Sequence, residues 1–240
     1  MLHMSPSQCA LCSRRIARGF TLVELAVIVV MIGVIAGLIL PALAKARQNA
    51  QKATAVQCVD NGRSIGAAFQ KYVQDHDGAL VPATRPKLGQ KEEENWTELL
   101  NGYVKNDDVW HCPGCRSGKH GHFGVGYNRH LSKLGKMAAI RHPDETVAFG
   151  DTGEIANPEE PNPDRWREVA RTSDDKPRKL ALIFETPSDA DWKTRPNRMV
   201  NRHLGRASVI FADGHVELKR VRAVGFEFKA GDERALWDNQ

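Results

Sequence analysis

The feature that most constrains this chain is a run of 21 residues near its N-terminus, Phe20 to Leu40, that is apolar apart from Thr21 and Glu24 and two glycines. At a helical rise of about 1.5 Å per residue the run is roughly 30 Å long, which matches the hydrocarbon core of a bilayer. A basic leader precedes it directly. The positive-inside bias therefore predicts a cytoplasmic leader and places the 200 residues after the run outside the cytoplasm.

One carboxylate, Glu24, lies within the run, about one turn from its start. A charged carboxylate in a membrane helix costs roughly 2.5 to 3.5 kcal/mol on insertion scales, so Glu24 needs a partner or a function. Two possibilities are open. Glu24 could lie shallow and reach the headgroups. Alternatively, cleavage after Gly19 would give Phe20 a new α-amino group, a cation that can neutralise Glu24 of its own or a neighbouring subunit.

The sequence RGFTLVELAVIVVMIGVIAGLILP resembles the class III signal of type IV prepilins and type II secretion pseudopilins. The likeness covers about residues 14–60. It rests on a basic leader, on Gly19 before the cut, on Phe20 as first mature residue, on Glu24 as the fifth and on Pro41 as the twenty-second. The resemblance implies cleavage after Gly19 by a membrane prepilin peptidase, methylation of the new terminus, and alignment of subunits by a contact between Glu24 and another subunit's terminal amine.

Two further fates are possible for the same stretch. An ordinary secretory signal could be cut after the small residues Ala42 to Ala44, or the segment could remain as an uncut anchor. The sequence FTLVEL directly after Arg-Gly argues against both.

Composition places one globular domain of ordinary size beside the apolar run. The chain has 240 residues, of which 41% are hydrophobic and 7% aromatic. Its net charge of +5 falls to +2 without residues 1–19, which hold three arginines and no acidic residue. A nucleic-acid partner is therefore not expected.

The apolar spacing after Pro41 is helical. Leu43, Ala46, Ala50 and Ala53 are three or four residues apart. We therefore predict one helix from about residue 20 to about residue 74, kinked or loosened near Pro41.

The expected fold class is α+β, a pilin-like lollipop with a long N-terminal helix and a small antiparallel β-sheet. The expected segments are a cytoplasmic leader (1–19), a transmembrane and assembly helix (20–75) and an extracytoplasmic head (76–240).

Local patterns predict the elements of the head. A short helix is expected at 95–104, capped by Asn95 or Thr97. Strands are expected at 124–128, 146–153 and 178–186. Asp213-Gly214 separates two β-rich runs, which predicts a hairpin of strands 206–212 and 215–221 joined by a type I′ turn.

A second resemblance concerns the C-terminal part of the chain. His203 and Asp213 are separated by nine residues, and Gly214 follows. This H-x9-DG arrangement is similar to the C-terminal signature of a large family of prepilin-like proteins, and QCVDNGRSIGAAFQKYVQDHDGALVP resembles that family's stretch after the membrane helix. The family brings no established enzymatic activity.

Cysteines and histidines cluster in WHCPGCRSGKHGH, residues 110–122. Cys112 and Cys115 followed by His120 and His122 resemble a zinc knuckle. The alternatives are a disulfide, either Cys112 to Cys115 or Cys58 to one of them, and free thiols. Outside the cytoplasm a disulfide is favoured.

The leader carries a separate pair, Cys9 and Cys12. If the apolar run crosses a membrane, this pair and the later cysteines face different redox compartments and cannot form disulfides with each other.

Asp151, His203, Asp213 and His215 fall at predicted strand ends or turns and could bind a divalent cation. The family likeness raises calcium in particular, although histidine is a poor calcium ligand. The simpler interpretation is that Asp213 serves the turn and His203 caps or packs on the hairpin. No cofactor is expected, with zinc and calcium as the alternatives, and the chain lacks G-x-S-x-G, Walker A and H-E-x-x-H motifs, so no enzyme is expected.

The expected function is that of a structural subunit, a major or minor pseudopilin of a type II secretion or type IV pilus-like fibre. The expected partners are the prepilin peptidase, other pilin-like subunits and the inner membrane, with the head in the periplasm. The alternative is a membrane-tethered binding module whose head holds a glycan, a metal or a cargo protein.

Overall fold

The computed structural model describes residues 21–87, 93–115, 124–169 and 183–238. Helices and strands follow in the order α1 (Leu22–Asp75), β1 (Thr84–Pro86), β2 (Glu93–Asn95), α2 (Trp96–Leu100), β3 (Val125–Asn128), β4 (Val147–Glu154), β5 (Ile183–Phe184), β6 (Asn197–Met199), β7 (Ala207–Phe211) and β8 (Val216–Lys219). The predictions for the leader, Gly19, Phe20, His120, His122 and most of the strand at 178–186 lie outside the described residues.

The long N-terminal helix is confirmed. α1 has 54 residues and continues through Pro41. The chain divides into two compact units, and the division falls inside α1, between Arg47 and Gln48. The first unit contributes residues 22–47 of the helix. The second unit, residues 48–240, contains the rest of α1 and all the strands.

Within the second unit, α1 buries one stripe of side chains. The buried positions are three or four residues apart and include Cys58, Gly62, Ile65, Phe69 and Tyr72. This is the period at which one helix face meets a neighbouring layer. The stripe packs on the larger of two sheets.

The larger sheet has six strands in the order β5-β3-β4-β7-β8, with β6 paired to β4. Its pairs are antiparallel except for β3 with β5, which run parallel. The expected antiparallel pairing is therefore present, but the sheet is larger than predicted and mixed. β1 and β2 form a separate two-stranded sheet.

Two apolar cores lie among the described residues of the second unit. One contains Phe69 of α1 together with Tyr127 and Phe149 of the sheet. The other contains Phe184, Trp237 and alternate residues of β7. β7 therefore sends Ala207, Val209 and Phe211 to this second core, while Ser208 and Ile210 face α1. Burial on both faces explains why four of the five residues of β7 are apolar.

The short helix and the hairpin were predicted in outline, and the structure corrects one turn. Asn95 caps α2 in a capping box with Glu98. Outside glycine, the only described residues with positive φ are Asp77 and Leu204, so Asp213 lacks the backbone that a type I′ turn requires.

Residues 212–214 instead form a three-residue loop. Gly214, with φ +94°, donates to Phe211 O, and Phe211 N donates to His215 O, both at 2.9 Å. A left-handed glycine at the third loop position is the usual way to close such a hairpin.

Candidate functional site

The first candidate site is the start of α1. Thr21 N and Thr21 Oγ1 donate to Glu24 Oε2 at 2.9 and 3.0 Å, and Glu24 N donates to Thr21 Oγ1 at 3.2 Å. These reciprocal bonds form a capping box, in which a threonine before the helix and a glutamate three residues later satisfy each other's free N–H groups. From the sequence, Glu24 was interpreted only as a charge. The T-x-x-E spacing of Thr21 and Glu24 was the signal for this second role.

Around and after Glu24 the helix exposes apolar side chains on every side. Val29, Val30, Met31 and Ile32 are each at least half exposed, and four consecutive helical positions cover the full circumference. An 18-residue window of α1 has a mean hydropathy of 2.9, and none of it is buried. The helix is therefore long and apolar enough to span a membrane.

The second candidate site is a buried group of four polar side chains in the second unit, which we call the Cys/Asp/His cluster. Its members are Cys58, Cys112, Asp151 and His203. Cys58 lies on the buried stripe of α1, and Cys112 follows a 3-10 turn at Asp107–Trp110. Asp151 lies in β4, and His203 precedes β7. Four separate parts of the chain therefore meet at one point.

The ligand-type atoms of the Cys/Asp/His cluster all lie within 4.8 Å of one another. Cys58 Sγ is 3.7 Å from Cys112 Sγ and 3.4 Å from Asp151 Oδ1. Cys112 Sγ is 3.2 Å from His203 Nε2, which is 3.3 Å from Asp151 Oδ2. Both thiols are free, so the structure contains no bond between Cys58 and Cys112. Such a set of sulfur, nitrogen and oxygen atoms could hold a metal ion.

Burial and close contact shift the pKa values of the four groups in this cluster. Burial, followed by the negative charge of Cys112, raises the pKa of Asp151 to about 7. The hydrogen bond from Cys58 lowers the pKa of Cys112, while the same bond, with burial, raises the pKa of Cys58. Burial lowers the pKa of His203, but its bond to Cys112 and the charge of Asp151 outweigh burial, so the net direction is upward. The carboxyl group, the two thiols and the imidazole lie close together in a buried space, so the protonation state of each affects the pKa of the others.

Two neighbours hold the cluster in place. Ser208 N donates to Asp151 Oδ2 at 2.7 Å. The buried guanidinium of Arg202 lies 3.7 Å from Asp151 Oδ1 and is itself fixed by Glu168, through Nε at 2.9 Å, and by the carbonyl of Thr152 at 2.5 Å. Asp151 is therefore oriented by a backbone donor and a cation.

The structure separates the other residues that the sequence singled out. Asp213 and His215 pair with each other at 2.6 Å in a partly exposed loop and do not belong to the cluster. Cys115 closes a turn through its N–H to Cys112 O at 2.9 Å, and its thiol is likewise outside the cluster. His203 does more than pack on the hairpin, because its Nε2 meets both Cys112 and Asp151.

Comparisons of the chain with protein-family models, with curated proteins and with solved structures find no match.

Proposed function

We propose that this chain is a pilin-like structural subunit, anchored by one membrane helix and processed by a prepilin peptidase after Gly19. Its head lies in the periplasm, and subunits associate through residues 20 to about 60. The family likeness at residues 14–60 supports this role, and the fibre is of the type II secretion or type IV pilus kind.

The observation that carries the proposal is a helix that exposes apolar side chains on every side and carries a single carboxylate near its start. No residue between 22 and 40 is buried, and the exposed fraction reaches 84% at Leu22 and 72% at Leu38. Water is a poor solvent for such a surface, so a bilayer or a bundle of like helices must cover it. A pilin-like subunit uses both, the membrane before assembly and its neighbours afterwards.

Glu24 allows the assembly role to be tested apart from the capping role. Glutamine at this position keeps an oxygen acceptor for Thr21 but removes the charge, because Glu and Gln both serve at the third position of a capping box. Alanine removes both. Thr21→Ala is the matched control, since it removes the cap, at a cost of about 1 kcal/mol, and leaves the carboxylate in place.

We expect Glu24→Gln and Glu24→Ala to abolish incorporation into sheared fibres from the native host, and Thr21→Ala to retain it. N-terminal mass spectrometry of the membrane form should show a chain that starts at Phe20 with one added methyl group. Normal incorporation of the Glu24→Gln subunit would reduce Glu24 to a helix cap. A correctly processed chain that never enters a fibre would favour the membrane-tethered binding module.

A further inference from the structure

We propose that the Cys/Asp/His cluster is a structural zinc site that fastens α1 to the sheet. The sequence-based zinc hypothesis used Cys112 with Cys115 and two histidines at 120 and 122. The ligand set inferred here shares only Cys112 with it. All four ligands lie in residues 48–240, so the inference does not depend on the function of the N-terminal segment.

The spacing of the ligand-type atoms carries the argument. In tetrahedral zinc sites the bonds are about 2.3 Å to sulfur and about 2.0 to 2.2 Å to nitrogen or oxygen, so neighbouring ligand atoms are about 3.8 Å apart for two sulfurs and about 3.3 to 3.6 Å for the other pairs. The cluster shows 3.7 Å between its sulfurs. Cys58 Sγ is 3.4 Å from Asp151 Oδ1, and His203 Nε2 is 3.3 Å from Asp151 Oδ2, so one or the other carboxylate oxygen meets each of these ligands at the expected separation. The contact of 3.2 Å between Cys112 Sγ and His203 Nε2 is slightly shorter than expected, and one atom from each of the four residues lies within 4.8 Å of the others.

Charge also favours a divalent cation at this point. A metal binds thiols as thiolates, and two thiolates, a carboxylate and a neutral imidazole would carry three negative charges, which a buried space holds only with a cation among them. Zinc would leave one negative charge, and the guanidinium of Arg202, 3.7 Å from Asp151, supplies the matching positive charge. The second partner of Arg202, Glu168, is partly exposed, so water can share its charge. Thiolate ligands select zinc over calcium or magnesium, which prefer oxygen.

The chemistry of the site is that of a closed structural centre. Its four ligands come from the protein, and all four residues are buried, which leaves no position for a substrate or a reactive water. Gly114, two residues after Cys112, permits this closure, since a Cβ at this position would lie 2.9 Å from His203 Cε1.

The competing product at the same place is a disulfide between Cys58 and Cys112. It would need a sulfur–sulfur distance of about 2.05 Å in place of the non-bonded contact, and it would use only two of the four side chains. Asp151 and His203 would then remain buried against each other at 3.3 Å with no metal to explain their convergence. Zinc uses all four.

The test starts from full-length protein, purified in detergent without chelators or immobilised-metal resins. We expect elemental analysis to find one zinc per chain, and X-ray absorption at the zinc edge to find two sulfur and two nitrogen or oxygen neighbours. Cys58 and Cys112 should resist alkylation until a chelator is added. These measurements on the unaltered chain do not depend on whether any variant folds.

Single substitutions then identify the ligands. Cys58→Ser and His203→Ala should each lose most of the zinc, with circular dichroism to check that they fold. The controls are Cys115→Ser and His215→Ala, which change a cysteine and a histidine outside the cluster and should keep one zinc per chain.

Three results would overturn the proposal. The first is a zinc-free protein with reduced, freely alkylated thiols. The second is a chain about 2 Da lighter, with Cys58 and Cys112 linked in one peptide pair. The third is zinc that survives Cys58→Ser but is lost in Cys115→Ser, which would place the metal on the local Cys-x2-Cys pair.

Discussion

At the scale of single residues, His203 depends on an uncommon backbone conformation. The two residues that follow it, Leu204 and Gly205, have φ of +54° and +76°. They form a tight turn in which His203 and Arg206 exchange backbone hydrogen bonds of 2.8 and 3.0 Å. Positive φ at both central positions is what a type I′ turn requires. The sequence placed such a turn at Asp213-Gly214, whereas it lies at the other end of β7.

A leucine in this conformation carries a backbone cost of about 1 to 2 kcal/mol, which asparagine largely avoids. Leu204 is half exposed, so its side chain contributes little packing. We therefore predict that Leu204→Asn raises the free energy of unfolding by about 1 kcal/mol, measured by urea titration of tryptophan fluorescence. Zinc content should not change.

The control for this prediction is Leu204→Val. A β-branched side chain at positive φ is less favourable than leucine, so this variant should be less stable than the unaltered chain. If the asparagine and valine variants shifted the urea midpoint in the same direction, the backbone explanation would fail.

Glu24 shows what a sequence pattern can miss at this scale. Its charge in an apolar run was evident, and it led directly to the question of a partner. Its hydrogen bonds with Thr21 follow from the same four residues, TLVE, once the helix is known to begin at Leu22. The capping role and the charge role of Glu24 are separated by different variants, because a neutral acceptor such as glutamine can cap the helix but carries no charge.

At the scale of elements, the residues of the H-x9-DG motif pack β7 against α1. Its histidine, His203, meets the cluster beside Cys58, and its glycine, Gly214, lies against Gly66. Cys58 and Gly66 are eight residues apart, about 12 Å along a helix. Between them, Gly62 faces Ser208 and Ile210 of the strand, which a Cβ there would approach within 3.4 Å. Both ends of the motif therefore lie beside the same helix.

The contact between Gly66 and Gly214 is the closest of these. A Cβ at this position would lie 2.4 Å from the carbonyl oxygen of Gly214, and that oxygen belongs to backbone that cannot rotate away. We predict that Gly66→Ala lowers the free energy of unfolding by about 1 to 3 kcal/mol, although alanine is the better helix former by up to about 1 kcal/mol. Thermal unfolding followed by circular dichroism would measure the loss.

Gly102→Ala is the matched control for Gly66→Ala. A Cβ at Gly102 would meet no atom within 4 Å, and its φ lies outside the positive range. This variant should melt within about a degree of the unaltered chain. A stable Gly66→Ala variant would mean that the loop at Gly214 can move away from α1 without loss.

The sequence predicted elements well where a periodic pattern is long or a turn residue is decisive. α1 and the two strands of the terminal hairpin were found in this way. β6, with sequence NRM, has no strand pattern and forms because its backbone pairs with β4. The parallel pairing of β3 with β5 likewise depends on the folded topology and not on local sequence.

The Cys/Asp/His cluster could not be predicted from local sequence patterns either, because its members are far apart in the chain. Cys58 and Cys112 are 54 residues apart, and Cys112 and His203 are 91 apart. The sequence grouped Cys112 with Cys115 and two histidines for zinc, left a disulfide from Cys58 to either cysteine open, and considered Asp151 and His203 separately. A signal was present nonetheless: Asp151 lies near the end of a predicted strand, and a carboxylate that becomes buried there needs a partner.

At the scale of the whole molecule, the two units are suited to different surroundings. Residues 22–47 expose apolar side chains and bury none in the described chain. The second unit buries two cores, and the first core residue along the chain is Ala55. Every member of the Cys/Asp/His cluster lies within the second unit as well.

This division predicts that the second unit folds without the first. A chain comprising residues 48–240 should be soluble and monomeric without detergent, should bind one zinc, and should melt within a few degrees of the full-length protein, roughly the shift that 1 kcal/mol produces in a domain of this size. Size-exclusion chromatography, elemental analysis and circular dichroism measure these three properties. The reason is that no buried core residue precedes Ala55 in the described chain.

A shorter chain, residues 61–240, is the control for that experiment. It keeps Ile65, Phe69 and Tyr72 on the buried stripe of α1 but lacks Cys58, and with it the buried Ala55 and the exposed residues around them. It should bind no zinc at the Cys/Asp/His cluster, melt well below the 48–240 chain and lose its sensitivity to chelators. Equal melting of the two chains would show that zinc contributes nothing to stability. Aggregation of the 48–240 chain itself would show that residues 22–47 belong to the same folding unit as the sheet.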